Sequence, residues 1–412
     1  MLNSMPSPRR IVWEVVKAWL IAVTLTVVGI MTTTKVRKVL RGQRAHGFPV
    51  TAPQSVQTSR GAATTYTYGD DLFDDMISAI EAAEHRVFFE SFIVKGDAEG
   101  RRFKAALQAA AARGVQVYVV YDGFANLVVR PSFYRFAPGV HVLRYPIYNA
   151  GLKPFTPRRW GRDHRKILVV DDTVGFVGGY NIGSTYATQW RDTHVRITGS
   201  AVWDLANAFI DFWNTLRPGE AIVGTGSTDW DPRVRIHRNI PRQLVFPIRN
   251  MYLEAIDRAT RRIKITAAYF IPDSDILGAL LEARARGVEI DIIVPEISNH
   301  VVTDWLSRGF YGRLLEAGVR IHRYRDHMVH AKTCTIDGEW TTIGTANIDR
   351  LSLSGNYEIN VEVVDPALAA HLEAVFARDL TNCAELTPAD WERRWFVSRI
   401  CELLLSPLRP LL

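Results

Sequence analysis

Two short stretches of this sequence carry residues suited to phosphodiester chemistry, at matching spacings. His330-Ala331-Lys332 is followed by Asp337, then Gly344-Thr345-Ala346-Asn347, then Glu358. His164-Arg165-Lys166 is followed by Asp171, then Gly178-Gly179-Tyr180-Asn181, then Asp192. In both copies the asparagine lies seventeen positions after the histidine and the late carboxylate twenty-eight. A lone H-x-K triplet is common, but two copies with the same internal spacings indicate an internal repeat.

Two histidines, two lysines and two asparagines, brought together, make a phosphate site without metal. Lysine supplies point charge and asparagine supplies neutral donors for the non-bridging oxygens. One imidazole can attack phosphorus while the other protonates the leaving oxygen, because an unperturbed ring titrates near ~6.5. The attacking ring must be the neutral tautomer, and a carboxylate accepting its far N–H fixes that tautomer. Asp192 and Glu358, at equal spacing from their histidines, suit that task. The lysine beside each histidine would repel a divalent ion, so no metal and no cofactor is expected. Gly178, Gly179 and Gly344 lack the strand–G-x-G-x-x-G–helix setting of a nucleotide loop. They read, with Thr345, Asp171 and Asp337, as structural members of the motif.

The elements that must position these residues recur twice. Asp74 to His85 and Met251 to Thr260 have helical periodicity, and Val87 to Ile93 and Ile263 to Ile271 are apolar strands. Second helices over 103–113 and 277–286 stop at Gly114 and Gly287, before strands at 115–121 and 288–294. This alternation predicts an α/β fold with a largely parallel sheet. Lys166 to Val170 and Lys332 to Ile336 read as strands of tight hairpins turning at Asp171-Asp172 and Asp337-Gly338. Helices over 202–213 and 367–380 follow.

The chain has 412 residues, 47% apolar and 23% charged, with net charge +7. That excludes wholesale disorder and suits an anionic partner, nucleic acid or lipid surface. Three scattered cysteines exclude a disulfide framework or a thiolate zinc site, and Cys334 reads as a small core residue. Ile11 to Thr34 is almost wholly apolar, flanked by Arg9 and Arg10 before and by Lys35, Arg37, Lys38, Arg41 and Arg44 after. It reads as a membrane anchor holding the rest on the cytoplasmic side. A cleaved signal is the rival, but no prompt A-x-A-like site follows. Trp391, Trp395, Phe396, Ile400, Leu403 and Leu404 form a terminal amphipathic stripe, docked on the core or lying in an interface.

The double H-x-K-x4-D-x6-G-[GST]-x-N pattern resembles the phospholipase D superfamily, over residues from about 65 to 385. Trp190-Arg191-Asp192-Thr193-His194, Ala268-Tyr269-Phe270-Ile271-Pro272 and Asn347-Ile348-Asp349 through Glu358 are similar to bacterial cardiolipin synthases. The resemblance implies two tandem phospholipase D-like α/β/α repeats packed pseudo-twofold, with the active site between them. On that reading 1–48 is anchor and basic linker, 65–217 and 241–386 are the repeats, 218–240 joins them, and 387–412 is the amphipathic tail. It also implies phosphatidyl transfer through a phosphohistidine, with His164 as nucleophile, His330 as acid then base, and Lys166, Lys332, Asn181, Asn347, Asp192 and Glu358 completing the site. Phosphatidylglycerol at an anionic membrane is the implied substrate, and one chain completes the site. Hydrolysis, or less readily a nuclease, is the alternative chemistry, and a non-catalytic binding module a third reading. No nucleic-acid partner is expected. The chain departs from many relatives in carrying Leu351-Ser352 after Asp349, Gly179 where Thr345 stands in the other copy, and one apolar segment instead of two. Between Tyr121 and His164, Phe133-Tyr134-Arg135-Phe136, Tyr145 to Tyr148 and Arg158, Arg159, Trp160 and Arg162 suggest a lip for a lipid headgroup, with Tyr269 as a further substrate contact.

Overall fold

Helix α1 (Pro8–Arg41) opens the chain, and its Val12–Val36 stretch is long and apolar enough to cross a membrane. In this computed structural model, residues 8–41, 47–147, 161–224 and 231–411 are described. The first half then runs β1 (Gln54–Thr58), β2 (Gly61–Tyr66), α2 (Gly69–Glu81), β3 (Arg86–Ser91), α3 (Ala98–Ala112), β4 (Gln116–Asp122), β5 (Val140–Tyr145), β6 (Lys166–Val170), β7 (Val174–Gly178), β8 (His194–Gly199) and α4 (Val202–Leu216). The second half runs β9 (Val234–Arg238), α5 (Pro247–Arg258), β10 (Arg262–Ala267), α6 (Ser274–Ala285), β11 (Glu289–Pro295), α7 (Val301–Glu316), β12 (Arg320–Tyr324), β13 (Lys332–Ile336), β14 (Trp340–Gly344), β15 (Ile359–Val364), α8 (Pro366–Leu380), β16 (Cys383–Glu385) and α9 (Phe396–Leu405).

Local chemistry explains the helix limits. Asp97, Asp273 and Asp365 cap the N-termini of α3, α6 and α8 with side-chain oxygens, and Pro366 takes the first helical position. Beyond α3 and α6 the chain turns at Gly114 and Gly287, both at φ 94°, where a β-carbon would be strained.

Each half forms one eight-stranded sheet, β1-β2-β8-β7-β6-β3-β4-β5 and β9-β15-β14-β13-β10-β11-β12-β16. From β8 to β5 and from β15 to β12 the two orders correspond. The sheets are mixed, which corrects the expected largely parallel arrangement. Only β3-β4-β5 and β10-β11-β12 are parallel, and the remaining neighbours are antiparallel. Helical crossovers serve only the start of each repeat; the H-x-K segment enters β6 or β13 and returns at once as a hairpin, which must be antiparallel. Strand β9 falls in the stretch read as linker and pairs with β15.

One apolar seam joins the halves: Val177, Val195 and Ile197 of the first sheet share a buried cluster with Ile343, Val361 and Val363 of the second. α4 closes one side of it through Leu205, Phe209 and Trp213. Cys334 is buried in the second core, as read from its apolar run.

The hairpin turns explain the motif aspartates. Asp171, Asp172 and Asp337 have φ of 50°, 55° and 55°, and Gly338 follows at 72°. The Asp171 carboxylate accepts the backbone N–H groups of Glu84, His85 and Arg86 at 2.8–2.9 Å. Asp337 does the same for Thr260, Arg261 and Arg262. Each thus ties the tight turn to the start of β3 or β10. Although burial opposes it, these donors hold both carboxyls below the usual value. Such a depressed acid stabilises the fold above its unfolded pKa of about 4, and the contribution fades as pH falls below that. D171A and D337A should each lower unfolding free energy by about 2–3 kcal/mol in denaturant melts at pH 7, and flatten its fall in acid. Equal stability to the parent chain at pH 7 would remove the turn-tying role.

Candidate active site

His164 and His330 sit immediately before β6 and β13, where the chain leaves its sheet and meets the opposite half. His164 N–H donates to the Tyr357 carbonyl at 3.0 Å, and Tyr357 N–H to that of Arg162 at 2.9 Å. His330 N–H donates to the Arg191 carbonyl at 2.6 Å, and Met328–Val329 pair in parallel with Trp190–Arg191. Each histidine is therefore bound, through its backbone, to the residue preceding the other half's late carboxylate.

The side chains follow. His164 Nδ1 lies 2.9 and 3.0 Å from the Glu358 carboxylate oxygens, and His330 Nδ1 lies 2.6 Å from Asp192 Oδ2. Equal spacing in the sequence concealed this exchange: each histidine takes the carboxylate of the other repeat. With Nδ1–H donated to a carboxylate, Nε2 carries the free lone pair. Lys166 Nζ donates to the His164 carbonyl at 2.6 Å, and Lys332 Nζ donates to the His330 carbonyl. Phe92 packs edge-on to His164 with ring centres 4.7 Å apart, and Trp190 lies 5.0 Å from His330.

The two dyads differ by one methylene, and the neighbouring residue compensates. Glu358 also accepts the Thr345 hydroxyl at 2.5 Å. At the matching position, a β-carbon on Gly179 would fall 2.0 Å from Asp192 Oδ1, so the shorter acid occupies the space that Thr345 fills in the other copy. Gly344 is required for a similar reason, since its β-carbon would meet Asn360 Oδ1 at 2.1 Å. Gly178 ends β7 beside β8. Asn181 Oδ1 accepts the Ile93 N–H at 3.2 Å, while Asn347 Nδ2 reaches Ser352 Oγ at 3.4 Å and its Oδ1 has no protein partner.

All six ionisable groups are buried. Burial, aided by Lys166 and Lys332, holds His164 well below the usual imidazole value, and burial and Lys332 push His330 down to about 3. Burial also lowers Lys166 to about 7 and Lys332 to about 8, against the pull of the two carboxylates. It raises Glu358 to about 7. Burial would raise Asp192 too, but Lys332 and His330 outweigh it and its carboxyl lies below the usual range. The site thus has neutral imidazoles and two buried lysines whose charged forms an anion would favour, which is the electrostatic setting for a phosphodiester.

Residues 76–213 and 252–380 match the family described as cardiolipin synthase, phospholipase D-like domain. The major cardiolipin synthase of Bacillus subtilis (strain 168) is 32% identical over 372 residues, covering 87% of this chain and 77% of its own length. The chain belongs to the phospholipase D-like cardiolipin synthase family. A cardiolipin synthase of Clostridium perfringens (strain ATCC 13124) is 31% identical over 376 residues, with 87% and 78% covered. The crystal structure of phosphatidylserine synthase from Haemophilus influenzae Rd KW20 shares the fold, with a TM-score of 0.66 at 14% identity over 87% of this chain and 95% of that one. The chain is accordingly a phosphatidyltransferase of the phospholipase D type, cardiolipin synthase-like.

Within this cardiolipin synthase-like chain, the sequence reading of the surroundings fares unevenly. Arg158, Arg159 and Trp160 lie outside the described residues. Arg162 is engaged within the fold, 3.7 Å from Asp122 and donating to the Pro146 and Ile147 carbonyls. Tyr269 does approach the site, with its ring centre 6.2 Å from that of His330, and its hydroxyl donates to Asn299 at 2.6 Å. Phe133, Tyr134 and Phe136 correct the expected lip. They pack on α3 and the first core, with Tyr134 stacked on Tyr121 and Lys104 over Phe133 and Phe136. Among the described residues of that region, the exposed large apolar side chains are instead Phe124, Leu127 and Val128, just after β4.

Sequence reasoning missed the buried support under His164. Arg165, the middle residue of its triplet, is clamped by Glu90 at 2.6 Å, by Asp163 at 3.3 Å and by the Ala208 carbonyl at 3.0 Å. The second copy has Ala331 there, and nothing in the spacing signalled the difference. Asp349, which burial raises to about 7, reads in the sequence only as part of the motif; its carboxylate accepts the Ser352 N–H at 2.6 Å and so orients the serine facing Asn347. D192N and E358Q should each reduce kcat by roughly 10²–10⁴-fold with little loss of fold, because each leaves an imidazole in the wrong tautomer. Near-parent turnover in either would remove that carboxylate from the site's work.

Proposed function

We propose that this chain makes cardiolipin from two phosphatidylglycerol molecules, releasing glycerol, through a phosphatidyl-histidine intermediate at the cytoplasmic face of a membrane. The observation that carries the reading is the pair of crossed histidine–carboxylate dyads, each held through Nδ1 and each with a buried lysine in its own motif. In the first step His164 Nε2 attacks phosphorus and the P–O bond to glycerol breaks. His330, neutral in the free enzyme, takes up a proton as the anionic phosphodiester binds beside it and delivers that proton to the departing oxygen. In the second, a hydroxyl of another phosphatidylglycerol gives its proton to His330 and attacks phosphorus, breaking the N–P bond and freeing His164. Lys166, Lys332, Asn181 and Asn347 hold the non-bridging oxygens and stabilise the charge that develops on them. The choice of His164 as nucleophile follows the family. The heavier basic flank after the apolar stretch of α1 supports the cytoplasmic side.

The deciding experiment supplies the purified chain with phosphatidylglycerol vesicles and resolves the products. Cardiolipin and free glycerol in equal amounts support transfer, and phosphatidic acid as the sole lipid product overturns it in favour of hydrolysis. H164A and H330A should each lose at least about 10³-fold in turnover, and a chelator should leave activity intact.

The lysines also set a pH limit. In the free enzyme, raising pH through about 7 and 8 deprotonates Lys166 and then Lys332 and removes positive charge from the phosphate site. The value of kcat/KM should therefore fall across that window, while kcat holds to higher pH because bound phosphate keeps both lysines charged. A flat kcat/KM from pH 6.5 to 9 would contradict this.

A further inference from the structure

The amphipathic tail helix lies against the apolar N-terminal one. Val23 and Ile30 of α1 are buried in a cluster with Leu306 of α7, Leu405 of α9 and Ile271, two residues beyond Tyr269. The half-buried Trp19 and Val27 of α1 pack on the same cluster. The docked face of α1 therefore runs from Trp19 to Ile30, about 16 Å along the axis, and sits in the middle of the apolar stretch Val12–Val36. A hydrocarbon layer is about 30 Å thick, so about 20 residues of that 25-residue stretch are needed to cross it, the midsection among them. If α1 crosses, whatever docks on its midsection cannot stand clear of the lipid.

The outward face of α9 meets that condition. Phe396, Ile400 and Leu403, at i, i+4 and i+7, are 64%, 48% and 72% exposed, and Trp395 just before them is 69% exposed. The opposite face is pinned to the fold. Leu405 is fully buried, and Glu402 is held by Arg308 at 2.8 Å and by Arg394 at 3.2 Å. Arg394 in turn lies 4.0 Å over Trp391. The stripe is thus fixed facing outward on a helix that packs against α1, whose Ile21, Leu25 and Val28 are also exposed, and a water-facing role would leave all of these wetted.

We propose that α9 is an interfacial membrane element that sinks the α7–α9 side of the second half into the acyl boundary of the leaflet α1 enters, which brings the wall at Tyr269–Ile271 to the lipid. The proposal rests on reading α1 as a membrane helix. It commits to lipid acyl chains as the occupant of the stripe.

The test uses the full chain with Cys383 and Cys401 replaced by serine, and a fluorophore attached through L403C or, as a control on the first half, through V223C. Val223 is 84% exposed and lies outside the cluster. Each protein is floated with phosphatidylglycerol vesicles and quenched by brominated acyl chains or by aqueous iodide. Quenching by bromolipid at 403, but by iodide at 223, is expected. Flotation with iodide quenching at both positions would overturn the α9 proposal while leaving α1 as an anchor. Failure to float would overturn both. Shielding of 403 from both quenchers, with a dimer in sedimentation, would assign the stripe to a second copy of the chain. In a second readout, F396S/I400S/L403S should lose at least tenfold activity on vesicles and keep activity on a short-chain soluble phosphatidylglycerol. Equal activity on vesicles would contradict the proposal.

Discussion

The structure turns on an exchange of backbone between its two halves. The segment leading into each histidine pairs with the segment leading into the other half's carboxylate, through His164 to Tyr357 and His330 to Arg191. These few hydrogen bonds decide which acid serves which imidazole. They form only because the apolar faces of β7 and β8 pack on those of β14 and β15. A site assembled this way cannot exist in one half alone, and any slip of the seam would part both dyads at once. Buried strap contacts reinforce it, among them the bidentate Arg191–Asp379 pair, which anchors the residue whose carbonyl accepts the His330 N–H.

Electrostatics explain why so costly an arrangement persists. Two lysines and two carboxylates in one buried centre are tolerable only if mutually paired, since each ion alone would cost several kcal/mol to bury. Even with both carboxylates nearby, the lysines lie well below their usual pKa and Glu358 well above its own. An anion bound there would favour the charged lysines and so relieve part of this cost. A bound phosphodiester brings negative charge between the lysines and raises the basicity of the imidazole that must carry a proton. On the proposed mechanism, substrate binding and the readiness of the acid would be coupled through one field.

Much of this was legible in the residues. The repeat, the hairpins with their turn aspartates, the helix stops at Gly114 and Gly287 and the burial of Cys334 all follow from local rules acting on neighbouring residues. What escaped was non-local. Equal spacing says that two dyads exist but not that they cross, because the crossing is a property of the seam. The sheets look parallel in a helix–strand alternation, yet the hairpins make most of their pairings antiparallel. Phe133 and Tyr134 resemble a lipid-facing lip in composition, and only the stacking on Tyr121 assigns them to the core. The Arg165–Glu90–Asp163 clamp joins residues 75 positions apart and left no mark in either motif.

A vanadate complex tests most directly whether the two rings address one phosphorus. Vanadate adopts the five-coordinate geometry of phosphoryl displacement, so it reports where nucleophile and leaving group stand. A single vanadium bonded to Nε2 of His164 is expected, with Nε2 of His330 hydrogen-bonded to the opposite apical oxygen and both lysines on the equatorial oxygens. Vanadate held by one histidine alone, with the other ring out of reach, would contradict it.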